Sequence, residues 1–193
     1  MRKLYRVISI TLLVSPSFAG VTFEDSSIVL PTYAPGGYDK TPIFYTGRVY
    51  QGAQGRVYPY PMQDVLHDKR EDETYRYLTL ENDWLQMGLL PEHGGHLLNL
   101  TDKQTGFETF YRQHVVKPAL IGMLGAWISG GVEWNFPHHH RATTAMPIDW
   151  SAAANDDGSK TIWIGETELR RRLKWTIGLS MMPDRAVLQA ENR

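Results

Sequence analysis

The chain of 193 residues contains no cysteine. Disulfides, thiolate metal ligands, cysteine nucleophiles and a lipid anchor on an N-terminal cysteine are therefore excluded, and stability has to come from packing. An excess of either charge is also missing: 20 Lys and Arg stand against 21 Asp and Glu, a formal net charge of -1. That balance leaves no electrostatic footprint for nucleic acid or for an anionic membrane. Arg170, Arg171, Arg172 and Lys174 form the one basic cluster, but Glu166 and Glu168 precede it, so it reads as a solvated, self-paired strand face. No segment reaches the roughly 20 apolar residues needed to cross a bilayer as a helix. A Gly-rich phosphate loop, a Ser nucleophile elbow and a dinucleotide fingerprint are lacking as well, which removes kinases, α/β-hydrolases and dehydrogenases.

What is present at the N-terminus has the order of a secretory signal over residues 1–19. Arg2, Lys3 and Arg6 supply a positive region, Val7 to Val14 an apolar stretch, and Ser17-Phe18-Ala19 a small-x-small cleavage site. The expected mature chain begins at Gly20 and is periplasmic or extracellular. With 42% hydrophobic and 21% charged residues it suffices for one folded domain, over 20–193.

Turn chemistry and period-two patterning dominate that domain. From Val21 to Pro61, turn signals such as Pro35-Gly36-Gly37 alternate with short β-prone runs, among them Ile43-Phe44-Tyr45 and Arg48-Val49-Tyr50. Tyr75–Glu81 alternates, Trp84–Leu90 is apolar, and Asn82-Asp83 between them predicts a hairpin. His96–Leu100 is a further strand, closed by a turn over Asp102–Gly106. Asn155–Lys160 is the clearest hairpin loop, flanked downstream by strands Thr161–Glu166 and Leu173–Leu179. Lys117–Ser129 has two glycines and no polar face, so a helix, a buried loop and a strand all remain open there. Short strands with turns between them and no βα alternation predict an all-β sandwich. Ala186–Glu191 begins another alternating strand shortly before Arg193, and the expectation is a domain incomplete at its C-terminus.

Chemistry concentrates in Gly130–Arg141, which holds a carboxylate, an amide, three imidazoles, a guanidinium and two aromatics in twelve residues. Buried polar groups are costly unless each finds a partner, so the segment reads as the lining of a polar pocket rather than core. In extended chain His138 and His140 share one face while His139 and Arg141 share the other. With Glu133 nearby, His138 and His140 form half a divalent metal site, to be completed by residues such as His93, His96 or Glu92. The alternatives are histidines that bind sugar hydroxyls, histidines that move protons, and histidines satisfied by backbone carbonyls.

Pro91-Glu92-His93-Gly94-Gly95-His96 is the second polar nucleus, its glycines making a tight bend that presents Glu92 and His93. Glu133 and Glu92 could serve as a glycosidase carboxylate pair if folding brings them about 5 to 10 Å apart; alternatively Arg141 or Arg112 neutralises Glu133 in a buried ion pair. Of the aromatic residues, Trp134 is the expected sugar platform because it lies inside the polar segment.

These strings together, RVYQGAQGRVYPYP, LPEHGGHLLNLTDKQTG, VVKPALIGMLGAWISGGVEWNFPHHHR and NDDGSKTIWIGE, resemble the bacterial domain of unknown function 5107, a group of the galactose-mutarotase-like superfamily. The resemblance runs from about Leu30 to Arg193. It implies a β-supersandwich with a carbohydrate ligand in a cleft on one sheet, and in longer members a following array of tetratricopeptide repeats. In mutarotase-like enzymes the general base is a glutamate from a later part of the domain, to which no position up to Arg193 corresponds.

The expected function is a carbohydrate-active protein, with glycoside hydrolase or aldose-epimerase-like acid–base chemistry in the full-length form. Glu133, His138 and His140 are the catalytic candidates. Trp134, Asn135, His139, Arg141, Glu92 and His93 are the substrate-binding ones. A raised pKa of Glu133 beside Trp134 and Phe136 would suit it to general-acid work. A non-catalytic carbohydrate-binding module and an interaction platform built with downstream repeats are the alternatives.

Overall fold

A computed structural model describes residues 20–39, 57–63, 65–120, 126–136 and 140–193. Two four-stranded antiparallel sheets form the body of the fold. The first has the order β1 (Thr22–Pro35), β2 (Leu66–Glu81), β3 (Leu85–Leu90), β4 (His96–Asp102). The second runs β10 (Leu188–Asn192), β9 (Leu173–Met181), β8 (Lys160–Glu168), β7 (Asp149–Ala154), and a small hairpin pairs β5 (Ala119–Leu120) with β6 (Ala126–Trp127). The chain is an all-β sandwich. Among the described residues no helix is long and apolar enough to cross a membrane.

The core forms where the apolar faces of the sheets meet. Leu78 and Leu80 of β2, Met87 and Leu89 of β3 and Leu97 of β4 pack with Ile162, Ile164, Ile177 and Leu179, all of them almost fully buried. Alternation supplies this face directly, since residues two apart on a strand point the same way. Strand β4 breaks the alternation with a bulge: Gly88 pairs with Asn99 but Leu89 with Leu97, leaving Leu98 as the extra residue. Leu97 and Leu100 thereby share the main core, while Leu98 turns to a second cluster with Leu30, Leu90, Val116 and Ile128.

Asn82 joins the two sheets at one end. Its Oδ1 accepts from the backbone N–H groups of Trp84 and Leu85, at 2.9 and 2.8 Å. Its Nδ2 donates to the carbonyls of Met182 and Arg185, at 2.8 and 3.0 Å. The turn after β2 is thus held to the turn after β9.

Several expectations change. The short strands expected after Val21 are one 14-residue strand, β1, paired along almost its whole length with β2; the runs at Ile43–Tyr45 and Arg48–Tyr50 lie outside the described residues. Strand β2 also starts at Leu66, nine residues before the alternation at Tyr75. Its first half, Leu66–Thr74, is exposed and charged on both faces, so it is held by the backbone ladder to β1 and not by burial. Of the readings left open for Lys117–Ser129, strand prevails at Ala119–Leu120 and Ala126–Trp127.

Candidate functional site

Glu133 is placed by a backbone device. Gly130 and Gly131 both have positive φ, 86° and 55°, and the chain then bridges to β4, with Val132 N–H donating to Leu97 O at 2.9 Å and Leu97 N–H to Val132 O at 3.1 Å. A Cβ on Gly131 would run into the Leu97 carbonyl and lie 2.9 Å from His96 Nε2. Only glycine allows this approach.

Three donors converge on the Glu133 carboxylate. Trp127 Nε1 donates to Oε2 at 2.8 Å, His140 Nδ1 lies 2.5 Å from the same oxygen, and the Thr144 hydroxyl donates to Oε1. The Trp127 and His140 rings meet edge to face, 5.5 Å between centroids. The side chains of Glu133 and His140 are 13% and 25% exposed, enough for a ligand to reach them. An imidazole that gives its Nδ1–H to a carboxylate presents a basic Nε2, so the pair can hold or move a proton, or accept a ligand donor.

Behind the pair, His96 is 3% exposed. Burial pushes its pKa down to about 4 against the opposing pull of Glu133 and of a backbone hydrogen bond at Gly130. His93 is likewise pushed down to about 4, by burial first and by His96 second. Its ring sits 4.8 Å from that of Tyr75, and both of its nitrogens are buried without a hydrogen-bond partner among the described residues. In this structure both imidazoles are neutral at pH 7.

Arg141 underlies the site. Only 2% exposed, it spans the space between segments far apart in sequence. Nε donates to Trp134 O at 2.6 Å, Nη2 to Gly94 O at 2.7 Å, and Nη1 to Glu166 Oε1 at 2.6 Å and Thr143 Oγ1 at 3.1 Å. The guanidinium also lies 4.6 Å from the Trp175 ring centroid. Gly94, with φ of 63°, closes this clamp, since a Cβ there would lie 2.8 Å from Nη2.

The sequence-derived candidates thus separate. Glu133 and His140 come together in one hydrogen-bonded pair. Arg141 is not available to a sugar, because its donors are committed to the scaffold, and it pairs with Glu166 rather than with Glu133; Arg112 pairs with Glu108. Trp134 turns its indole N–H to Gly95 O at 2.8 Å and packs against the core, while Phe136 stacks on Trp175. The Trp134 N–H is thereby directed to the Gly94–Gly95 bend, and the indole that donates to the Glu133 carboxylate is Trp127. Glu92 accepts from Arg76 N–H at 2.9 Å, His93 faces Tyr75, and Asn135 is exposed. His138 and His139 lie outside the described residues. Among the described residues no three His, Asp or Glu side chains converge as a metal site. Trp127 and Thr144, which complete the Glu133 cluster, are not singled out by the sequence.

The model of a family described as a domain of unknown function, DUF5107, matches residues 53–192. The chain belongs to this family. A crystal structure of a TPR-domain containing protein from Parabacteroides distasonis is similar, with a TM-score of 0.76 and 22% identity over 91% of this chain. That likeness concerns the fold. The chain spans 29% of the length of that protein.

Proposed function

We propose that this DUF5107 domain is a carbohydrate-active module that works from the Glu133 site, with a mutarotase-like cleft and acid–base chemistry of the glycoside hydrolase or epimerase type in the full-length protein. The observation that carries the reading is the partly exposed Glu133 carboxylate fixed between His140 and the Trp127 indole. Sugars are recognised by such groups: hydroxyls bond to carboxylate and imidazole, and C–H faces lie on indole rings. Glu133 and His140 are then the acid–base pair, with Trp127 in the platform role expected of Trp134. The basic, apolar and small-residue order of residues 1–19 supports export to the periplasm or beyond.

Replacing Glu133 by Gln keeps the shape and removes the charge. Turnover of a responsive glycoside should fall at least 100-fold with the sugar affinity changed only a few-fold, a split read from kcat and KM. Full turnover in Glu133→Gln would remove Glu133 from the chemistry.

A non-catalytic sugar-binding module is the second reading. The saturation of Glu133 by three donors favours it, because a carboxylate so held serves well as a fixed acceptor. Binding without turnover, with only mild effects of Glu133→Gln, would select it. A divalent ion held by His140 and His138 belongs to either reading, and its signature is binding that disappears with chelator and returns on adding zinc.

A further inference from the structure

The second sheet carries a cleft of about 340 Å³ along β7, β8 and β9, lined chiefly by residues of its outward face and reaching also Trp150, Ile164 and Glu166. Register places its residues. Ser151, Trp163 and Gly178 lie opposite one another across β7, β8 and β9, as do Asp149, Gly165 and Thr176, and Thr167 faces Lys174. Paired residues share a face and residues two apart share it again, so all of these side chains point outward together.

Gly165 leaves the floor of the cleft without a side chain, and Gly178 gives room for the Trp163 indole, since a Cβ there would lie 2.7 Å from the ring. The walls are Trp163, Asp149, Ser151, Lys174, Thr167 and Thr176. Arg193 stacks its guanidinium 4.7 Å from the Trp163 centroid. Asp149 and Lys174 form no ion pair with described residues. The cleft therefore joins an indole, a free carboxylate, a free ammonium and three hydroxyls in a volume at the lower end of small-ligand sites, about 300 to 1,000 Å³.

We infer that this cleft is a second saccharide-binding site, separate from the Glu133 site. A pyranose has what these walls complement: an apolar C–H face for the part of the Trp163 indole that Arg193 and Gly178 leave uncovered, and a ring of hydroxyls that donate to Asp149 and accept from Lys174. A purely ionic ligand would find the two charges cancelling, and a purely apolar one would leave both of them desolvated without a partner. The choice of saccharide rests on the carbohydrate reading of the Glu133 site, and the two are separable by mutation.

The test is isothermal titration of the full chain with soluble α- and β-linked di- to tetrasaccharides of glucose and galactose. The expected result is two sites per chain for a binding glycan. Trp163→Ala and Asp149→Asn should each weaken one of the two at least ten-fold, and Glu133→Gln should leave that one unchanged. Asp149 is exposed, and its side chain makes no hydrogen bond or ion pair with the described residues, so its variant keeps the test valid if Trp163→Ala fails to fold. A single site unmoved by both outer-face variants overturns the inference and leaves the Glu133 reading standing. A single site lost in Asp149→Asn supports the inference and overturns the Glu133 reading, since no second site then remains for Glu133. Absence of binding to the folded wild type overturns both.

Discussion

Arg141 shows how one buried charge organises a site without touching a ligand. Its guanidinium ties the Gly94 bend, the Trp134 backbone and Glu166 of β8 together. Replacing it by Met would leave Glu166 partly buried with its cation gone, a loss of about 3 to 5 kcal/mol by analogy with broken buried pairs. Urea unfolding monitored at the tryptophans should read that loss as a lower midpoint; a midpoint within the error of wild type would show that the clamp is not structural. Sequence did mark Arg141 as important, because an arginine beside three histidines stands out. The partners that decide its role lie 25 and 47 residues away, a distance that spacing arguments do not cross.

The buried histidines give a residue-scale pH dependence with a definite sign. An unfolded histidine titrates near 6.5, whereas His93 and His96 in the fold are held down to about 4. The unfolded chain therefore binds more protons between those values. The stability they contribute is fully present above pH 6.5 and is lost as pH falls towards 4, by up to roughly 3 kcal/mol for each ring. Thermal melts from pH 7.5 to 4.5 should show a falling Tm. Substituting His93 by Phe, which retains the ring against Tyr75 and removes two buried unpaired nitrogens, should flatten that fall; an unchanged slope would contradict the assignment.

At the scale of elements, Asn82 and the β4 bulge hold the sandwich in register. Asn82→Ala removes four hydrogen bonds that connect the turns of opposite sheets. At about 1 kcal/mol net for each bond, and with buried backbone groups left unmatched, the loss should be on the order of 3 kcal/mol. Hydrogen exchange should then accelerate at Trp84, Leu85 and the β9–β10 turn while the centre of β8 stays protected; uniform acceleration would mean that Asn82 acts globally instead. The Asn82-Asp83 turn and the Asn155–Lys160 hairpin were legible in sequence because their turn chemistry is local, and Gly158 indeed has φ of 81°. Leu66–Thr74 was not legible, since a strand solvated on both faces carries no period-two hydrophobic pattern. Lys117–Ser129 stayed ambiguous for the converse reason, being apolar on all sides.

Across the whole molecule, two sheets bury one face each and leave two chemically distinct surfaces, the Glu133 site and the outer cleft at Gly165. The all-β class followed from turn spacing and the absence of βα alternation. The composition of the Glu133 site followed only in part: the density of polar residues located the segment, but Trp127 and Thr144 reach Glu133 through the β5–β6 hairpin and the turn after Arg141, and those contacts are tertiary. Trp134 was read as a ligand platform because it lies inside the polar segment, yet its N–H is taken up by the Gly95 carbonyl, a contact 39 residues away in sequence.

The claim that the Glu133 site recognises sugar is tested most directly by a quantitative glycan-array measurement on the wild-type chain beside Trp127→Ala, each shown to be folded by thermal melting. The account predicts saturable binding by wild type and at least a ten-fold weaker signal for Trp127→Ala, on the same glycans. A folded wild type that binds nothing, or a Trp127→Ala variant that binds every glycan as well as wild type, would contradict it.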